Sequence, residues 1–187
     1  MRLQSTLRLI LAVTLVGVAA PKPEIYRNEE FGIEFPVPNG AHLIPCPDDV
    51  HDHGPVFTLG STQAPVVLDL EQIRTISIFA CFNCCDETRK LHDLMVCDVS
   101  VFGKKATRSI PLGLTITSLP CEAARIDHAD GWIDVIVDTQ AGKLDHLDPE
   151  VPSINYTLRL HTTAANLAGD LRPFRAILEN IHLPPVK

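Results

Sequence analysis

Recognisable catalytic signatures are missing from this chain. It has no Gly-x-Ser-x-Gly elbow, no His-Glu-x-x-His helix, no phosphate-binding glycine loop and no dinucleotide fingerprint. These absences weigh against the common enzyme classes, although a triad assembled from distant residues leaves no local trace. Internal repeats and low-complexity tracts are absent too, and no composition break divides the interior. After residue 20 no stretch reaches the roughly 18 apolar residues that a membrane-spanning helix needs, so no membrane span is expected. Tryptophan occurs once, at Trp132.

Acidic residues are in excess, with 23 Asp and Glu against 16 Lys and Arg and a net charge of −7. That balance repels nucleic acid and anionic lipid heads and suits basic protein partners. Proline is the opposite case. The chain has 15, in phrases such as Pro36-Val37-Pro38 and Pro45-Cys46-Pro47, well above the usual ~5%. Many turns and irregular connections are therefore expected.

The first 20 residues carry the strongest functional signal. Arg2 and Arg8 lead into an apolar run at 9–18, followed by the small residues Ala19 and Ala20. Pro21 would hinder cleavage after Ala20, so the expected cut follows Ala19. Residues 1–19 then form a signal peptide and 20–187 a single secreted α+β domain. Loss of Arg2 and Arg8 takes the basic count from 16 to 14 against 23 acids, a net of −9. No cysteine stands at the cut, so no lipid anchor is expected. The expected location is periplasmic or extracellular, and all six cysteines meet an oxidising compartment.

Periodicity marks the elements. Two short extended pieces at 25–27 and 33–35 flank a turn at 28–32, and further strands are expected at 56–59, 73–80 and 112–118. Asp86 is placed to cap a helix running to about Val96. Asp130-Gly131 suits a tight turn between strands at 121–127 and 132–139. Ile133, Val135 and Val137 would face the core, leaving Asp134 and Asp138 in water. Strict alternation from Ile154 to His161 predicts another strand. A final helix is expected from about Leu171, with Phe174, Ile177, Leu178 and Ile181 on one face, Asp170 as its cap and Pro173 in its first turn. The fold class is therefore α+β: one domain, a twisted antiparallel sheet flanked by helices.

The two ends add a resemblance. YRNEEFGIEFPVPNG at 26–40 and YTLRLHTTAANLAGDLRPFRAILENIHL at 156–183 resemble exported bacterial proteins of the PsbP/Mog1-like fold. Gly32, Ile33, Phe35, Phe174, Ile177 and Leu178 carry the match, over roughly 40 residues and at structural positions only. The resemblance implies a leading strand hairpin, a closing strand and helix, and a role in binding or assembly rather than catalysis. It transfers no functional residue.

Cys46, Cys81, Cys84, Cys85, Cys97 and Cys121 admit three readings. An even count in an exported chain suggests three disulfides, with 15 possible pairings. Cys81-x-x-Cys84 between a strand and a helix suggests a thiol–disulfide site, against which Asp86 and Glu87 raise the thiol pKa. Cys81, Cys84 or Cys85, His92 and Cys97 offer four zinc ligands, without the usual two spaced pairs. His51 and His53 are a second metal candidate, set against a solvated loop between Pro47 and Pro55. Trp132, with Asp134 and Asp138, is the candidate partner-binding patch; the alternative is that Trp132 packs across the hairpin.

No cofactor is expected. The sequence favours a small exported, non-catalytic protein-binding domain, of inhibitor or immunity type, with the redox and metal-binding readings as alternatives. Intact-mass analysis of the secreted protein is expected to give a chain beginning at Ala20.

Overall fold

The computed structural model describes residues 24–45, 53–60, 70–81, 91–103, 106–116, 119–142 and 153–184. Its spine is the antiparallel pair β8 (Trp132–Ala141) and β9 (Ile154–Thr163), in register from Trp132↔Thr163 to Ala141↔Ile154. Alternation of side chains sorts both strands into two faces. Ile133, Val135, Val137 and Ala141 meet Ile154, Tyr156, Leu158 and Leu160 in the main core. Asp134, Ile136 and Asp138 point the other way with Thr157, Arg159 and His161.

Gly131, at φ 89°, turns β7 (Cys121–His128) into β8, as Asp130-Gly131 predicts. On the far side of β9 lie β5 (Thr75–Cys81), β4 (Val56–Leu59) and β3 (Ala41–Ile44). Beyond β7 lies β6 (Ala106–Pro111). Among the described residues the order is β3-β4-β5-β9-β8-β7-β6, antiparallel throughout. A separate hairpin, β1 (Ile25–Asn28) and β2 (Ile33–Pro36), buries Phe31, Ile33 and Phe35 in the main core.

Among the described residues two α-helices cover opposite faces. α2 (Leu167–Asn180) lays Phe174, Ile177 and Leu178 on the main core, an i, i+3, i+4 stripe. α1 (Leu91–Phe102) lies over β7 and β8 on the other face, where Met95 packs with Ala124, Ile126 and Ile136. Long-range ties lock the main face. The Tyr156 hydroxyl donates to the Phe31 carbonyl at 2.5 Å, and Arg74 grips both oxygens of Asp170 on α2 at 2.8 and 3.0 Å. Thr162 donates to the same carboxylate.

Several expectations change. Asp170 is the anchor of that clamp and not a helix cap: α2 begins earlier, at Leu167, and places Pro173 in its second turn. Of the strand expected at 112–118, residues 112–116 form none, because β6 already occupies the outer edge of β7, and 117–118 lie outside the described residues. The β6–β7 ladder ends at Pro111, and Ile116 makes a local isolated bridge with Leu119. The alternation there still reports burial, since Leu112 and Leu114 pack against the core and Ile116 lies inside it. β3 and β6 are edge strands without an apolar stripe, so periodicity misses them. α1 runs to Phe102, past Val96, and its proposed cap Asp86 lies outside the described residues.

Gly54 marks the tightest backbone approach. A Cβ there would sit 2.3 Å from the Ile78 carbonyl oxygen, at a φ of 137°. Gly131 has positive φ but open space around it. Gly54→Ala should therefore cost about 2–4 kcal/mol and Gly131→Ala only about 1 kcal/mol, read from urea midpoints at constant m.

Candidate functional site

The α1 side of β8 and β9 holds the densest polar cluster. Alternation places Asp134, Arg159 and His161 on one face, and the covered sheet buries Asp134 and His161 there. Asp134 is fully buried, 0% exposed, and is enclosed by donors. Its Oδ1 accepts from Arg159 Nε at 2.8 Å and lies 2.7 Å from His161 Nδ1. Its Oδ2 accepts from Arg159 Nη2 at 3.0 Å and lies 2.8 Å from His128 Nε2. Burial pushes this carboxyl up. Hydrogen bonds from His161 and Arg159, with their charge, outweigh burial and hold it at about 2.

Rings complete the cluster. Trp132 stacks on His161 with centroids 4.4 Å apart and planes 6° off parallel. The Arg159 guanidinium sits 4.5 Å over the Phe102 ring, tying the end of α1 to the sheet. His161 Nε2 faces the Glu71 carbonyl oxygen at 3.2 Å, so both ring nitrogens are engaged within the fold. A base would need one of them free. The Asp134–His161 pair therefore orients and holds its neighbours and offers no open proton acceptor.

Asp138, also 0% exposed, lies four residues further along the same face of β8. Neither of its oxygens meets a hydrogen-bond donor. Asp98 of α1 stands beside it, taking the Thr157 hydroxyl at 2.7 Å. Burial first, then the Asp98 charge, pushes the Asp138 carboxyl up to about 8. Glu122, across the β7–β8 pair from Asp138, bonds His92 of α1 at 2.9 Å.

These placements correct the sequence reading. Asp134 and Asp138 are not a solvent-facing row: both are 0% exposed, because α1 and the neighbouring strands enclose them. Trp132 packs on His161 of β9 rather than across its own hairpin. His53 directs Nδ1 to the Ala80 carbonyl oxygen at 3.0 Å and sits between the Phe31 and Phe79 rings. His51 lies outside the described residues. No group of three or more His, Cys, Asp or Glu among the described residues is arranged to hold a metal ion.

The cysteines divide. Cys97 and Cys121 are free thiols, which corrects the expectation that all six cross-link. The physical reason is the sheet between them. Cys97 rides on α1, whereas Cys121 shares the main-core face with Ala123, its Sγ pointing to the Leu114 carbonyl. Cys81 is only 5% exposed, poor access for an exchanging thiol. Cys46, Cys84 and Cys85 lie outside the described residues.

Arg159, His161, His128 and Asp98 were missed as a group. Their signal was present: Thr157-x-Arg159-x-His161 is complementary in charge to Asp134-x-x-x-Asp138, once the two strands are paired. Only the pairing shows it.

This architecture is shared with known structures. PsbP (CyanoP) from Synechocystis sp. PCC 6803 matches at a TM-score of 0.53 and 14% identity, over 89% of this chain and 95% of that one. The fold is PsbP-like. LpqN of Mycobacterium tuberculosis, a protein involved in cell envelope biogenesis, matches at 0.51 and 11%, over 90% of this chain and 88% of that one. No protein-family model and no curated protein matches the chain. At such low identity the PsbP-like likeness concerns the fold alone, as the terminal motifs implied.

The buried cluster makes a pH prediction. The folded Asp134 pKa is depressed, so its stabilisation is full above the unfolded value near 3.8 and fades as pH falls toward 2. The loss should approach about 2 kcal/mol in acid denaturation. Asp134→Ala, which strands Arg159, should cost about 3–5 kcal/mol near neutral pH and abolish that acid-dependent loss.

Proposed function

We propose that this chain is an exported, non-catalytic binding domain that holds another protein of the cell envelope. The observation that carries the reading is the whole-chain likeness to LpqN, a protein involved in cell envelope biogenesis, taken with the leader-like residues 1–19. Three features support it. The titratable residues that would draw attention as catalytic are committed to internal bonds around Asp134. The acidic balance, −7, favours a basic partner. Large apolar side chains remain in water on the α1 side: Phe79 is 46% exposed and Val96 55%. No helix among the described residues is long and apolar enough to cross a membrane.

An inhibitor or immunity-type role is the finer form of this proposal, with cross-linking of Cys81 and the undescribed cysteines as reinforcement. Such bonds act mainly on the unfolded chain, contributing about 2–4 kcal/mol each.

The test uses the full-length chain in its native cells, with a photo-reactive residue placed at Phe79, Val96 or Arg172. The expected result is an envelope-localised protein whose positions 79 and 96 capture one and the same partner, while position 172, on the α2 side, captures none. A chain retained inside the cell, or positions 79 and 96 that yield no common adduct, would overturn the reading.

A further inference from the structure

α1 is held over the sheet by a small apolar contact and an unusual polar one. Among its described residues only Leu94 and Met95 are buried. Beneath it, Asp138 is fully enclosed and neither oxygen has a donor. The groups facing it from each packed element are acidic or neutral. From α1 comes Asp98, already bonded to the Thr157 hydroxyl of β9. From β7 comes Glu122, whose carboxylate is engaged by His92 of α1. Arg159, next along the same face of β9, is committed to Asp134. Asp93 lies in the first turn of α1, further from the pair. The enclosed Asp138 carboxyl, with the part-buried Asp98 beside it and no counter-charge free to face it, is disfavoured as an anion.

We propose that Asp98 and Asp138 form a proton latch: a proton on Asp138, donated to Asp98, fastens α1 to β7 and β8, and its loss releases the helix. Release would hydrate both carboxylates and uncover Ala124, Ile126 and Ile136, the apolar patch that Met95 now covers. The raised pKa of Asp138 gives the direction. Closed, Asp138 keeps its proton up to about 8; open, it ionises near 3.8. The closed form is therefore most favoured below the open-state value, and each pH unit above it shifts the balance toward opening by up to tenfold, until about pH 8. The latch is tight in acid and loose in mild alkali. The inference is independent of what the domain binds.

Hydrogen exchange at the backbone amides of 91–102 tests it, at pH 5 and pH 8, corrected for intrinsic exchange rates. In the wild-type chain, protection of α1 should fall at least ~tenfold between the two, while β8 and β9 keep theirs. Asp138→Asn supplies a permanent donor to Asp98 and should make α1 protection equal at both pH values. Asp98→Asn, which removes the facing charge, should shrink the difference and guards against misfolding of the first variant. Equal wild-type protection at both pH values overturns the proposal. So does a pH dependence that survives unchanged in both variants, or one shared by β8 and β9.

Discussion

The pairing of β8 with β9 along their whole length, with cover on both faces, is the constraint to which the other elements answer. A strand buried on one face can send its polar residues to water. Here the second face also lies under a helix, so Asp134, Arg159 and His161 must satisfy one another. The hydrophobic face brings α2 and the β1–β2 hairpin to the sheet, and the polar face decides where α1 can rest.

The two faces use different physics. On the main face, Tyr156, Phe31, Phe35, Phe57 and Phe174 fill a dry core, and the few polar atoms there are paired over long sequence distances, as in Tyr156 to Phe31. The apolar contacts of that core are non-directional and tolerate modest changes of shape. On the α1 face the apolar contact is small, and geometry is set by a buried anion with four donor atoms around it. Charge networks of this kind add little net stability but penalise any rearrangement that strands one member. The main face keeps the domain folded, and the α1 face keeps it specific and open to control by protons.

The likeness to PsbP and LpqN, at 11–14% identity, is one of architecture alone, and a shared fold does not by itself fix a function.

Elements with a strong local period were legible from residues alone. The Asp130-Gly131 hairpin, the strand beginning at Ile154 and the Phe174, Ile177, Leu178 stripe each follow from geometry repeated every two or 3.6 residues. What lay beyond local pattern was the environment of the polar positions. Asp134 and Asp138 read as solvent-facing because alternation tells which residues share a face, not whether another element covers it. Arg74 and Asp170 are 96 residues apart, and Asp98 and Thr157 are 59 apart. Sequence determined the periodic elements and their inner faces, since these depend on neighbours along the chain. Only the tertiary structure decided which charges are buried, paired or left facing one another, since that depends on neighbours in space.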